Sequence, residues 1–340
     1  APAPTPTLLE TGALALPGKL DADWDERLPQ LVAQVESDAA SAGLIRALLA
    51  EAAQQVRQAL PAINATLRAK GVRSIDLLWP ASGFNQAAYG GQFEVISLLE
   101  HHGLLRPGRI MGASGGASSA LLSLANNQGS GHDVLLYNMA YAKANITSLG
   151  QLWRENRFWE ATYRRELEDE SSFNRVRQRG HVAGFCGWGF FSGNAVKSNF
   201  SSREQAVSAY YASGDASLGG FLVGTTIPGL SRIGSCCDGG EMTYFDNSSS
   251  ALLYYNAFYG NAGGASVPEI ANLFRFGVNE TIAMLRNSTL RGRNMAVALP
   301  GPNGVIADEQ FAVLKDAFSL PDPKTTFHDI LGKVSRTRER

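Results

Sequence analysis

Arg109-Ile110-Met111-Gly112-Ala113-Ser114-Gly115-Gly116-Ala117-Ser118-Ser119-Ala120-Leu121-Leu122 is the stretch from which the chain is best read. A short apolar run enters a G-x-S-x-G pattern, and a run of small and apolar residues at helical character leaves it. A serine is held at a sharp strand-to-helix turn only where its neighbours lack bulk, because the turn strains the backbone and crowds the residues two before and two after it. Gly112 and Gly116 supply that relief. The pattern therefore predicts that Ser114 stands exposed at a sheet edge as a nucleophile. The N–H groups at the helix start, Gly115 first, then face any oxyanion that develops there. Read without the flanks, the same five residues are a Gly/Ser-rich loop in a chain with 36 glycines.

A nucleophilic serine needs a base. Of the five histidines, His101 and His102 end a helix upstream, His132 and His181 lie in polar segments, and His328 alone sits where a Ser, Asp, His order puts a triad histidine. None has a motif around it. The stronger candidate is Asp238 in Cys236-Cys237-Asp238-Gly239-Gly240, where Gly239 and Gly240 let the backbone fold tightly behind a carboxylate. It follows Gly224-Thr225-Thr226-Ile227-Pro228-Gly229 and precedes Phe245-Asp246-Asn247.

Four blocks in this order resemble the patatin-like phospholipases. They are the Gly-containing loop Leu77-Leu78-Trp79-Pro80-Ala81-Ser82-Gly83-Phe84, the turn at Ser114, the small-residue segment ending at Pro228, and Asp238-Gly239-Gly240. The resemblance spans residues 74 to about 248. It implies an α/β fold, a three-layer sandwich with a central, mostly parallel sheet flanked by helices, here carrying extra N-terminal helices. It also implies that Ser114 and Asp238 act as a dyad without histidine, that backbone N–H groups of Gly83, Phe84 and Gly115 form the oxyanion hole, and that no cofactor is used. The implied activity is hydrolysis of an acyl lipid (a phospholipid, lysophospholipid, galactolipid or neutral glyceride) through an acyl-serine. Two other outcomes share the scaffold: an acyltransferase passing the acyl group to an alcohol, and a non-catalytic lipid-binding or storage protein.

Spacing favours this arrangement over an ordinary α/β-hydrolase. Gly83 precedes Ser114 by 31 residues, room for one helix, read from Gly91 to His102, and one strand. In α/β-hydrolases the oxyanion loop after the third strand usually lies much farther upstream. The chain departs from the family in that loop, where Gly-Gly-Gly-x-Arg/Lys-Gly gives way to Ser82-Gly83-Phe84-Asn85-Gln86-Ala87-Ala88-Tyr89-Gly90-Gly91. The basic residue is missing, so Asn85 or Gln86 offers a hydrogen bond but no positive charge. Gly90 and Gly91 read as glycines that let the helix start close to the sheet.

The four organisational units are an extended segment at 1–20, a helical extension at 21–73, the catalytic domain at 74–332 and a basic tail at 333–340. The extension is read from apolar residues at helical spacing, with Leu28, Leu31, Val32 and Val35 in one group, Leu44, Ile45, Leu48 and Leu49 in a second, and Val56, Leu60 and Ile63 in a third. Ser74 to Trp79 reads as the first core strand, Val134 to Tyr141 as a strand or buried helix, and Leu149 to Arg179 as helical with a solvated charge run. Gly277 to Leu290 and Asp308 to Ala317 read as amphipathic helices. The rings and glycines of Gly184 to Phe191 fit a buried strand, or the lining of an acyl pocket or a lipid-facing edge.

Composition is that of an ordinary globular protein, with 44% hydrophobic residues, 18% charged and a net charge of −1. There is no basic field of the kind nucleic acid requires, and no apolar run reaches the ~18 residues of a membrane span. Peripheral contact with a lipid interface remains compatible with this composition. Six Asn-x-Ser/Thr sequons, at Asn64, Asn145, Asn199, Asn247, Asn279 and Asn287, exceed the two or three that chance would give at about this composition. They point to a secreted or secretory-lumen protein, and Ala1-Pro2-Ala3-Pro4-Thr5-Pro6-Thr7 reads as the extended start of a processed chain or as a cut end. Cys186, Cys236 and Cys237 allow one bridge, from Cys186 to either of the others, or three reduced thiols. No Cys/His spacing suits a metal.

Overall fold

In the computed structural model, described over residues 24–79, 82, 85–126, 129–144, 152–186, 194–214, 236–237, 251–255, 266–286 and 295–298, helices cover an open and mostly parallel sheet. The chain opens with two amphipathic helices, α1 (Trp24–Ser37) and α2 (Ala39–Lys70). Their apolar stripes are the ones read from the sequence: Leu28, Val32 and Val35 are buried on α1, and Ile45, Leu48, Val56 and Ile63 on α2. Asp38 separates the two helices. Its extended backbone ends α1, and its carboxylate accepts the N–H groups of Ala40 and Ser41, capping α2. Gly71, left-handed at φ 66°, stops α2.

The sheet follows. Strand β1 (Ser74–Trp79), helix α3 (Gln86–His101) and strand β2 (Arg106–Gly112) form a parallel β-α-β unit, and β2 leads into α4 (Gly115–Ala125). Helices α5 (His132–Ala144), α6 (Leu152–Glu166) and α7 (Glu170–Arg179) then bring the chain back to β3 (Gly180–Cys186), which lies parallel beside β2. Next come β4 (Asn194–Ser198), α8 (Arg203–Gly214), β5 (Cys236–Cys237), β6 (Ala251–Tyr255), α9 (Val267–Arg286) and β7 (Met295–Ala298). The order across the sheet is β4-β3-β2-β1-β6-β7, with β5 also paired to β3; β4 and β5 run antiparallel to β3 and the other pairs are parallel.

Of the strand or buried helix read for Val134 to Tyr141, the structure has the buried helix, within α5. Two other helix readings are corrected. Helix α3 starts at Gln86, not Gly91, so Gly90 and Gly91 lie inside it and do not seat its start on the sheet. Helix α9 starts at Val267, ten residues before Gly277. These glycines serve close packing between helices. A Cβ on Gly91 would lie 2.1 Å from the Phe274 carbonyl oxygen, one on Gly277 1.9 Å from that of Ala88, and one on Gly90 2.9 Å from Val134. Backbone thus meets backbone between α3 and α9, and a side chain there would force the helices apart. Asp308 to Ala317 lies outside the described residues.

Ionic and buried acidic groups occupy separate places. Asp76 on β1 is buried and accepts the Arg109 backbone N–H at 2.8 Å and its guanidinium at 2.7 Å. Arg179 donates to the carbonyls of Pro107 and Gly108. Away from the sheet, Glu94 on α3 accepts the Gly131 N–H at 2.8 Å, and burial pushes its carboxyl up to about 6. Burial, then the charge of Asp133, pushes Glu166 on α6 up to about 7, and Tyr137 donates to it at 2.5 Å. The Asp133 hydrogen bond raises His132.

A carboxyl whose folded pKa is raised binds its proton more tightly when folded, so its stabilising contribution is present at low pH and lost as pH rises through the folded value. Glu94 and Glu166 therefore both weaken the fold between about pH 4.5 and about pH 7, by about 2 kcal/mol for Glu94. Raised His132 acts in the same direction. Glu94→Gln keeps an acceptor for Gly131 and removes the charge. Thermal unfolding at about pH 5 and about pH 7.5 should show wild-type protein clearly more stable at the lower pH and a smaller gap in Glu94→Gln; equal gaps would refute the assignment.

Candidate active site around Ser114

Trp79 and Gly112, the last residues of β1 and β2, are paired in register, so the two strands end side by side at one edge of the sheet. The ladder continues one step past the strand, with the Ala113 N–H donating to the Trp79 carbonyl at 3.0 Å. Ser114 then takes φ 51° and ψ −128°. This is backbone that an L-residue rarely adopts, at a cost of about 1–3 kcal/mol. It is one of two described non-glycine residues with positive φ. Ser114 is half-buried and reachable, while Gly112, Ala113, Gly115 and Gly116 around it are buried.

The turn closes tightly. Gly116 donates to the Ala113 carbonyl at 2.9 Å, and Ala117 and Ser118 donate to that of Ser114. A Cβ on Gly112 would lie 2.5 Å from both the Ala117 Cα and the Gly116 carbonyl oxygen. Only glycine lets α4 cross the end of β2 at this distance. Gly115 is the first residue of α4, and among the described residues no acceptor meets its N–H. That N–H points from a helix N-terminus, where the aligned backbone dipoles favour negative charge.

Around the turn, α4 is fixed at several points. The Ser114 N–H donates to Ser213 Oγ on α8 at 3.0 Å, and Ser213 is fully buried. Ser119 Oγ donates to the carbonyls of Gln86 and Gly115, tying α4 to the start of α3. Ser118 Oγ is hydrogen-bonded to Tyr163 OH on α6, and the Tyr163 ring meets Tyr210 of α8 at 6.2 Å. At the far end of α4, Arg175 donates to the carbonyls of Leu124 and Ala125, and Ser172 Oγ donates to Ala125. A cation at the carbonyl end of a helix is the favourable placement.

The remaining site candidates divide. Gly83, Phe84, Asp238, Gly239, Gly240 and His328 lie outside the described residues. Their neighbours locate where they attach. Ser82 is buried, and the Asn85 N–H donates to its carbonyl at 3.0 Å. Gln86, expected as a loop donor, is instead the first residue of α3 and is 2% exposed. Cys237, the residue before Asp238, pairs with Phe185, and Cys236 with Cys186. β5 is antiparallel to β3, which is itself paired with β2 through Val182 and Gly112.

Four histidines are described, and none hydrogen-bonds Ser114. His101 and His102 are exposed at the end of α3. His132 pairs with Asp133, and His181, corrected from a polar segment to a half-buried place on β3, is pushed down by burial, with the Arg109 charge adding to this. Among the described residues no three His, Cys, Asp or Glu side chains converge as a metal site, and no described helix is long and apolar enough to cross a membrane. Of the sequons, Asn199 is exposed at φ 52° after β4, Asn279 is exposed on α9 beside a shallow cleft, and Asn64 is half-buried on α2. Asn145, Asn247 and Asn287 lie outside the described residues.

No protein-family model, characterised protein or solved structure matches the chain significantly. Ser213 is the neighbour of Ser114 that sequence reading missed. It lies 99 residues downstream in no motif, and nothing local marks its hydroxyl as different from those of the other serines.

Gly112→Ala tests the geometry of the turn directly. The added Cβ has backbone on two sides and no flexible side chain to displace. Urea unfolding should show a loss of about 2–3 kcal/mol; a variant as stable as wild type would mean that α4 does not pass so close to β2.

Proposed function

We propose that this chain is a serine-dependent lipid acyl hydrolase of the patatin-like type, acting through Ser114 and Asp238. The observation that carries the reading is the backbone of Ser114: a reachable serine at φ 51° on the turn from a central parallel strand into a helix. Strain at one such position in a chain whose other described non-glycine residues, Asn199 apart, avoid positive φ suggests a placement retained for chemistry. The order of elements adds support, since β1 and β2 end in register beside the turn and β5, the strand before Asp238, pairs antiparallel with β3 next to β2.

On this reading Ser114 Oγ attacks an ester carbonyl as the Asp238 carboxylate takes its proton. Backbone N–H groups of Gly115, Gly83 and Phe84 hold the tetrahedral oxyanion, the alcohol leaves, and water releases the acyl-serine. A carboxylate near its ordinary ~3.9 is a weak base for a hydroxyl. The step therefore depends on removing water from the pair and holding it in a short contact. The segment from Ser82 to Gly91 carries no Arg or Lys, which favours neutral or zwitterionic acyl lipids and keeps a non-catalytic lipid-binding protein as the second reading.

A fluorophosphonate probe with a long alkyl chain separates the two. Wild type should be labelled on Ser114 and should release fatty acid from zwitterionic vesicles, whereas Ser114→Ala and Asp238→Asn should lose turnover by about three orders of magnitude or more while remaining folded. His328→Ala should retain activity. Wild-type protein that binds vesicles but neither reacts with the probe nor releases fatty acid would establish the binding reading.

The sequons support entry into the secretory pathway. Expressed by that route, the protein should shift down on a gel after enzymatic deglycosylation, with Asn199 and Asn279, the two exposed sites of the described three, carrying glycan by mass spectrometry. Unmodified asparagine at all six positions would count against that localisation.

A further inference from the structure

We infer that Ser213 is a positioning residue for the nucleophile: its hydroxyl oxygen accepts the Ser114 N–H and fixes the strained turn on which Ser114 Oγ is presented. The inference rests on the hydrolase reading above and extends it to a residue on a different element. Ser114 N–H donates to Ser213 Oγ at 3.0 Å, and Ser213, in the last turn of α8, is fully buried.

Geometry gives the bond a particular task. In the β2-to-α4 turn the N–H of Ala113 is taken by Trp79, while those of Gly116, Ala117 and Ser118 are taken within the turn. The Ser114 N–H falls between these two sets, at the residue whose φ and ψ depart from ordinary backbone. A buried N–H without an acceptor is costly, and rotation of the peptide back toward ordinary φ would be one way to relieve it. An acceptor fixed from outside the turn opposes that rotation. It also sets the direction of the Ser114 Cα–Cβ bond, and hence where Oγ lies relative to the Gly115 N–H.

The acceptor itself is firmly seated. One turn earlier on α8, Tyr210 is fully buried against Phe200, with ring centroids 5.8 Å apart, and against Tyr163 at 6.2 Å. Tyr163 in turn is bonded through its OH to Ser118, in the first turn of α4. Helices α8 and α4 are therefore connected twice, once directly at Ser114 and once through Tyr163 at Ser118. Tilting of α8 against the turn is opposed by the second connection. With a carboxylate contacting the nucleophile directly, a displacement of about 1 Å can cost on the order of a hundredfold in rate.

The test compares Ser213→Ala with Ser213→Cys, which keeps nearly the same volume but offers a weak acceptor, and with Ser123→Ala, which removes a buried hydroxyl on α4 that makes no hydrogen bond among the described residues. Each variant is assayed with a short soluble ester for kcat and KM, and with the fluorophosphonate probe. In the probe reaction the Ser114 Oγ–P bond forms, fluoride leaves and the hydroxyl proton passes to the base. Ser213→Ala should lower kcat and the labelling rate about ten- to a hundredfold with KM changed less than about twofold, and Ser213→Cys should fall between it and wild type. Ser123→Ala should label like wild type.

The acidic limb of the pH–rate profile should stay in place in Ser213→Ala, because a positioning residue does not titrate. A folded Ser213→Ala with wild-type kcat and labelling overturns the inference, and so does a shifted limb, which would place Ser213 in the proton path. If Ser213→Ala does not fold, a folded Ser213→Cys that labels at the wild-type rate overturns it equally. Absence of labelling in wild type would instead overturn the hydrolase reading, so the two failures are distinguishable.

Discussion

The backbone of Ser114 is the constraint around which the described structure is arranged. A left-handed φ at a residue with a side chain is unstable alone, and it persists only where the surroundings over-determine it. Here they do so from four sides. The β1–β2 ladder extends through Ala113, Gly112 leaves space for Ala117 to pass, Ser213 takes the Ser114 N–H, and Ser119 ties the next turn of α4 to α3. The carbonyl end of the same helix is held by Arg175 and Ser172. Each bond contributes only about 1 kcal/mol, but together they can offset a strain of about 1–3 kcal/mol.

Charge is distributed in accordance with that arrangement. Asp76 and Arg109 on the sheet, with Arg179 of α7 beside them, sit at the level of residues 107–109, about 10 to 17 Å before Gly112 along the strands. Gly108 makes room for them, since a Cβ there would lie 2.3 Å from Asp76 Oδ1. The raised carboxyls Glu94 and Glu166 belong to contacts with α5 and take no part in the turn. Among the described residues, what surrounds Ser114 is backbone N–H, hydroxyl and small apolar side chains. On the proposed reading these fixed dipoles face negative charge that develops on the substrate.

Legibility in the sequence followed how local each cause was. The stripes of α1 and α2, strand β1 and the turn at Ser114 are written in short-range spacing, and each lies where the spacing put it. The starts of α3 and α9 were displaced because Gly90, Gly91 and Gly277 look like loop residues until the opposing backbone is known. For α9 a local signal did exist: Ser266 donates from both N–H and Oγ to the Glu269 carboxylate, a side-chain pairing that Ser266-Val267-Pro268-Glu269 announces at a helix start. For Ser213 there was none, since its role arises only when α8 is laid against the turn. The dyad partner and the oxyanion loop were read from resemblance and sit on residues outside those described.

A base that touches the nucleophile directly, with no imidazole between them, changes what the scaffold must do. In a triad the histidine ring can swing a little and still reach both partners, so some of the positional tolerance lies in a side chain. In a Ser–Asp pair the carboxylate has a short reach and the serine a single χ angle, so the tolerance passes to the two backbones that carry them. On the proposed reading one of these is the turn at Ser114 and the other follows β5, and both attach to neighbouring strands, β2 and β3, of one parallel ladder. Rigid connection of those strands, reinforced by α8 and α6 beneath α4, then takes over the alignment that a third catalytic residue would otherwise provide.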